Sequence, residues 1–343
     1  GGGSDTLRGG RGDDRLFAER GSVEALFGGR GNDHLDGGPG SFDGLIGGPG
    51  DDVMDGGGGL DLAEFWDSPA PIEADLETDT AIGHGTDTIV AIEGLVGSNF
   101  DDVLLGDDGS NLLVGQDGDD DIRGRGSGTL AELGADVLDP GPGDDLLVGG
   151  TGADIVTYED SPTPVVVDLP TGVATGWGAD SLSGIEAIIG SPGDDTLVGD
   201  GRDNAIAGGD GDDAIDGGSG ADQVGYFDAR APVVVDLELG IATGWGSDTL
   251  QSVEDLTGSA FADLLVGDDG ANRIEGGSGD DSLVGSGGAD VLIGDGGADQ
   301  ADGGVGDDAC QAEVELGCES DPVASVTGLG RLAGWARAST LRP

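Results

Sequence analysis

The chain has 343 residues, with 70 Asp and Glu against 13 Lys and Arg, a formal net charge of −57, 75 glycines and 4% aromatic residues. This charge, with no basic stripe, excludes nucleic acid as a partner, and no apolar run reaches the roughly 18 residues that a membrane-spanning helix needs. The aromatics are too few for several conventional cores, while evenly spread Leu, Ile and Val argue against a disordered polyacid.

Residues 1–64 are an N-terminal region of nonapeptides with the form Gly-Gly-x-Gly-x-Asp-x-Leu-x, in which Gly9–Leu16 and Gly28–Leu35 fit fully and another run starts at Gly47. Because the chain opens on Gly1, we expect a fragment or processed form whose missing N-terminus could have carried a secretion signal. Residues 65–153 are a first long repeat, made of Val-rich coils and then nonapeptides from Gly97, with an insertion near 127–135. The second and third long repeats are 154–221 and 222–309. Pro164-Val165-Val166-Val167-Asp168-Leu169 recurs as Pro232-Val233-Val234-Val235-Asp236-Leu237, and Thr175-Gly176-Trp177-Gly178 recurs as Thr243-Gly244-Trp245-Gly246. At the same offset Glu186 becomes Glu254 and Asn204 becomes Asn272, and in the first copy Pro71, Asp75, Gly83, Asp87, Glu93 and Asn111 stand in matching places. The Val-rich segments are expected to continue a solenoid as coils with one bulged loop. Val165, Val167, Val233 and Val235 then line one face, and the Trp177 and Trp245 loops pack the bulge. Asp168, Asp180, Asp236 and Asp248 are either solvated or further ion ligands. Residues 310–320 form a cap in which a Cys310–Cys318 disulfide would seal the open end of the sheet, the alternative being a free core thiol. Residues 321–343 are expected to be a disordered tail in which Leu329–Ala338 could form a short helix.

The period of nine dominates the chain. Units starting at Gly258, Gly267, Gly276, Gly285, Gly294 and Gly303 carry Asp263, Asn272, Asp281, Asp290, Asp299 and Asp308 at position six. Position eight holds Leu265, Ile274, Leu283, Leu292, Ala301 and Cys310. Six residues suit a turn, because glycines at positions two and four tolerate φ > 0. The remaining three suit a short strand with its aliphatic facing inward. Two units make one coil, so position-six residues 18 apart stack in two columns, Asp263–Asp281–Asp299 and Asn272–Asp290–Asp308. At the strand spacing of roughly 4.8 Å, two such carboxylates repel by about 1 kcal/mol in water and about 3–4 kcal/mol at an effective dielectric near 20. A divalent cation reverses the sign. Ca²⁺ suits the pattern because it accepts many oxygens, carbonyls included, whereas Mg²⁺ keeps its waters and soft metals want Cys or His. Folding is therefore expected to be coupled to Ca²⁺.

These nonapeptides resemble the RTX, or haemolysin-type calcium-binding, repeat family. The resemblance implies an all-β fold, a right-handed parallel β-roll or β-solenoid with multiple Ca²⁺ ions held between adjacent turns. It adds Asp14, Asp33, Asp52, Asp102, Asp120, Asp145, Asp154, Asp195, Asp213 and Asp222 to the ligands named above. Three departures stand out. Asn111, Asn204 and Asn272 offer a neutral oxygen at position six, Gly37–Gly44 carries an extra residue, and Glu24 stands where Asp is expected.

No His-Glu-x-x-His or Gly-x-Ser-x-Gly motif is present, and the Gly-x-Gly strings lack a βαβ context. Arg11-Gly12-Asp13 is what the nonapeptide produces when position three is Arg. The expected function is that of a non-catalytic extracellular calcium-binding β-roll, secreted by a bacterium and possessing a site for no partner other than Ca²⁺ that the sequence identifies. Two alternatives stay open: the calcium-binding region of a larger secreted protease, lipase, epimerase or toxin, and a calcium-dependent cell-surface adhesion array.

Overall fold

The computed structural model describes residues 5–18, 24–40, 42–126, 134–312 and 314–320. The expectations for residues 127–133, for the side chain of Glu24 and for the tail 321–343 lie outside these. Among the described residues every regular element is a β-strand, mostly of three to five residues. The chain divides into two units, Gly1–Val156 with Gly178–Ile185, and Thr157–Trp177 with Glu186–Pro343.

In the first unit, one sheet stacks Asp5–Arg11, Glu24–Arg30, Phe42–Ile46, Leu60–Glu64, Gly94–Val96, Leu112–Val114, Val137–Asp139 and Ile155–Thr157, all parallel. The opposite sheet stacks Arg15–Phe17, His34–Asp36, Val53–Asp55 and Thr86–Val90 in parallel. It continues through Val103–Leu105, Asp121–Arg125, Leu146–Gly150 and Ala179–Ser183. The second unit repeats this plan, with Ala187–Ile189 through Cys318–Ser320 in one sheet and Thr196–Val198 through Val314–Leu316 in the other. The chain is thus a parallel β-roll, in which each coil pairs with the next rather than with itself.

The core follows from the strand period of two. Most three-residue strands bury their middle side chain, and many leave its neighbours partly or fully exposed, although Gly94–Val96, Leu112–Val114, Val137–Asp139, Ile155–Thr157 and Ala187–Ile189 are buried throughout. Leu104, Ile122 and Leu147 stack through the parallel register, each fully buried. Leu265, Ile274, Leu283, Leu292, Ala301 and Cys310, the position-eight residues, are all buried. Cys310 and Cys318 are joined by a disulfide, with Cα atoms 5.8 Å apart.

The Val-rich segments depart from the expected bulged coil. Each inserts an antiparallel hairpin into one sheet. Val166–Asp168 pairs antiparallel with Val173–Thr175 and parallel with Thr196–Val198. Val234–Asp236, Ile241–Thr243 and Ser247–Gln251 form the corresponding antiparallel trio, as do Glu73–Asp75, Thr80–Ile82 and Thr86–Val90. The hairpin turns are closed locally. Asp168 Oδ1 accepts the Thr171 N–H at 2.9 Å, Asp236 Oδ1 accepts the Leu239 N–H at 2.9 Å, and Gly172 and Gly240 take φ of 65° and 66°. Continuous β-branched residues favour strands over a loop, and a left-handed glycine reverses them. Val165, Val167, Val233 and Val235 do line the interior.

Candidate metal columns

Position six lies just before most strands and within the first two residues of Phe42–Ile46, Leu60–Glu64 and Asp308–Gln311, so parallel stacking superimposes its side chains. The columns form, but the contact that builds them is one the repulsion argument did not contain. Along each column a position-six main-chain N–H donates to a side-chain carboxylate oxygen of the corresponding residue one coil later, most often Oδ1. Asp14 donates to Asp33 at 2.7 Å, Asp33 to Asp52 at 2.7 Å and Asp52 to Asp87 at 2.9 Å. Asp102 donates to Asp120 at 2.7 Å, Asp120 to Asp145 at 2.8 Å and Asp145 to Asp180 at 3.2 Å. Asp195 donates to Asp213 at 2.9 Å, Asp263 to Asp281 at 2.8 Å and Asp281 to Asp299 at 2.9 Å. The other column runs through Asp43, Asp61 and Glu93, through Asn111, Asp136 and Asp154, through Asn204, Asp222 and Glu254, and through Asn272, Asp290 and Asp308.

The coil is not 18 residues everywhere. Successive members stand 19 residues apart near the N-terminus, 25 across the insertion and 35 across a hairpin. The ladder is indifferent to what lies between, because it fixes only the turn against its neighbour. The extra residue at Gly37–Gly44 is likewise absorbed, and Asp43 is fully buried in its column with its N–H on Asp61 Oδ1 at 2.9 Å.

One carboxylate oxygen is thereby satisfied, and the other is the candidate ligand. The Oδ2 atoms of Asp14, Asp33, Asp52, Asp61, Asp120, Asp145, Asp213, Asp222, Asp281 and Asp290 are buried and accept no hydrogen bond. A buried orphaned carboxylate oxygen is costly unless a cation or proton meets it. Burial, followed by the charges of neighbouring carboxylates, pushes Asp120 up to about 7 and Asp145 and Asp213 to about 8. Asp52, Asp222, Asp281 and Asp290 rise to about 6 for the same first cause. Several of these Oδ2 atoms, among them those of Asp14, Asp33, Asp120 and Asp290, lie beside a position-one glycine and a carbonyl of the next coil. A Cβ placed on Gly28 would lie 2.5 Å from Asp33 Oδ2 and 2.6 Å from the Gly47 carbonyl of the next coil. Among the described residues no three His, Cys, Asp or Glu side chains converge, so a cation here would draw on main-chain carbonyls as well as carboxylate. Such an all-oxygen set suits Ca²⁺.

Several members of the columns went unrecognised in the sequence. Asp61 completes Gly56-Gly57-Gly58-Gly59-Leu60-Asp61, which matches the pattern and could have been found. Asp136 was hidden by the insertion. Asp87 sits at a hairpin exit, where only the register reveals that it re-enters a column; Asp180 and Asp248, which the sequence left open between solvated residues and further ion ligands, re-enter in the same way. Asp248 Oδ2 accepts the Tyr226 hydroxyl at 2.8 Å. Glu93 and Glu254 take the place of Asp, and their Oε2 atoms accept the N–H groups of Asp61 and Asp222, both at 2.9 Å. Position five makes a second, outer ladder in the opposite sense. Asp101 Oδ1 accepts the Asp119 N–H at 3.1 Å and Asp119 Oδ1 the Asp144 N–H at 3.0 Å. Asp13, of the Arg-Gly-Asp string, receives the Asn32 N–H in this ladder at 3.0 Å.

The model of the RTX calcium-binding nonapeptide repeat (4 copies) matches residues 1–22, 24–41, 43–63, 96–127, 131–159, 189–224, 253–283 and 275–309, more than half of the chain. The chain belongs to the RTX calcium-binding repeat family. It accordingly binds several Ca²⁺ ions, and the buried Asp stacks fit that chemistry. The RTX matches break off at 64–95, 160–188 and 225–252, the spans that hold the hairpins. No curated protein matches the chain.

Proposed function

We propose that the chain is a non-catalytic β-roll of a secreted bacterial protein, whose folding is switched on by Ca²⁺ outside the cell. The observation that carries this reading is the set of buried Oδ2 atoms that accept no hydrogen bond. Asp33, Asp52, Asp120, Asp145, Asp213, Asp222, Asp281 and Asp290 would each give this oxygen to an ion, together with the carbonyls of the flanking turns. Bound Ca²⁺ supplies the positive charge that these carboxylates otherwise lack, in a chain of net charge −57. In a low-calcium cytosol the columns repel and the chain stays expanded. In millimolar extracellular calcium the sites fill even when individually weak, and occupancy adds stability by mass action.

Circular dichroism and small-angle scattering of the purified chain test this, first in EDTA and then with added Ca²⁺. The expected result is an expanded coil that becomes a compact β-form. A chain that is equally compact and β-rich in EDTA overturns calcium-coupled folding.

A further inference from the structure

The nonapeptide turns adopt two conformations, and residue two separates them. Where the position-six Oδ2 accepts no hydrogen bond, residue two is left-handed. Gly48 has φ 87°, Gly209 98°, Gly277 93°, and even Gln116 and Ser286 take 74° and 73°. In the turns 97–102, 190–195 and 258–263, residue two is Ser98, Ser191 or Ser259, and none of these is left-handed. There the Ser N–H donates to Oδ2 of Asp102, Asp195 or Asp263 at 2.5 Å, and the hydroxyl donates to Oδ1 at 2.8, 2.7 and 2.9 Å.

The turn that follows each of these is also closed on itself. Asp107, Asp200 and Asp268 donate their N–H to Oδ1 of Asn111, Asn204 and Asn272 at 2.8, 2.6 and 2.9 Å. The Asn Nδ2 groups donate to the main-chain oxygens of Glu93, Glu186 and Glu254 at 3.4, 3.2 and 2.8 Å. At 199–204 the Arg202 guanidinium also pairs with Glu186 and lies 3.1 Å from Asp200. A carboxylate hydrogen-bonded through both oxygens by its own turn has no orphaned oxygen to offer. A carboxamide turns N–H groups where a cation needs oxygen. The contrast is cleanest between Gly47-Gly48-Pro49-Gly50-Asp51-Asp52 and Gly190-Ser191-Pro192-Gly193-Asp194-Asp195, which differ only at residue two. The first leaves Oδ2 open and the second closes it.

We propose that the paired turns 97–111, 190–204 and 258–272 take no calcium and divide the calcium-binding turns into separate blocks. This rests on the calcium reading above. Each pair supplies one turn to each column, so both columns are interrupted at the same level. In the first unit one block precedes Gly97 and another follows Asn111. In the second unit one block follows Asn204 and holds Asp213 and Asp222, and another follows Asn272. The closed turns satisfy their position-six side chains without metal.

Native mass spectrometry of the full chain in saturating Ca²⁺ counts the ions, with circular dichroism confirming that each variant folds. Asp213→Asn is expected to lose at least one ion, whereas Asp195→Asn keeps the wild-type count. Ser191→Gly is expected to gain at least one ion and Gly48→Ser to lose at least one. If Asp195→Asn loses ions as Asp213→Asn does, or if neither residue-two exchange changes the count, the division is overturned. A wild-type chain that binds no Ca²⁺ overturns the calcium reading itself, a result distinguishable from calcium binding without blocks.

Discussion

The main-chain N–H of Asp195 donates to Oδ1 of Asp213 at 2.9 Å, while Oδ2 of Asp213 is buried and accepts no hydrogen bond. One carboxylate therefore has two jobs. Its Oδ1 fixes the spacing of the coils, and its Oδ2 is the candidate ion ligand. This separates the structural part of the nonapeptide from the ion-binding part and makes each open to test.

Asp281 accepts the Asp263 N–H and donates its own N–H to Asp299, whereas Asp14 stands at the first described turn and is half-exposed. Asp281→Ala removes both the orphaned Oδ2 and a ladder acceptor, and leaving a buried donor unsatisfied costs about 1–3 kcal/mol. We predict that the calcium midpoint for folding rises more in Asp281→Ala than in Asp14→Ala. Equal midpoints, read by circular dichroism, would count against the stacked columns.

Position-one glycines should be sensitive for a second reason. Gly28→Ala would push a methyl group between Asp33 Oδ2 and the Gly47 carbonyl, at 2.5 and 2.6 Å. Gly58 has open space around an added Cβ and no left-handed φ. We predict weaker calcium binding in Gly28→Ala, measured by isothermal titration calorimetry. Gly58→Ala should stay within about 0.5 kcal/mol of wild type in stability, as surface substitutions do.

Leu265 is fully buried, while Leu264 beside it is 38% exposed. Removing a buried Leu side chain costs about 2–5 kcal/mol. In saturating Ca²⁺, Leu265→Ala is expected to unfold at clearly lower urea than wild type and Leu264→Ala at nearly the same urea. Similar losses would show that the two sheets do not share a core through the middle residue of each strand.

Closing a loop of about nine residues with the Cys310–Cys318 bond is worth about 2.5 kcal/mol by chain entropy. Thiol titration of denatured chain without reductant should find no free thiol, and Cys318→Ser should unfold at lower temperature in Ca²⁺. Two titratable thiols would remove the staple. An unchanged midpoint would mean that the last coil is held by its strands alone.

Much of the fold was legible in the period of nine, because a turn that needs left-handed glycines and a strand that buries its middle residue leave their marks locally. Leu265, Ile274, Leu283 and Leu292 follow from position eight, and Asp281 and Asp290 follow from position six. Sequence by itself thus determined the repeat, the family, the interior column and the kind of ion.

Tertiary structure decided what depends on a neighbour one coil away. Only the register shows that Asp87 and Asp248 rejoin a column after a hairpin, and that Glu93 and Glu254 serve there in place of Asp. It also shows that Asp52 and Asp195, with the same residues around them except at position two, end with different hydrogen bonds. The physical reason is that a position-six Asp acquires its environment from two places at once, the φ of residue two in its own turn and the main-chain N–H of the preceding coil. Composition and spacing record the residue, and only the folded backbone records which of its oxygens remains free.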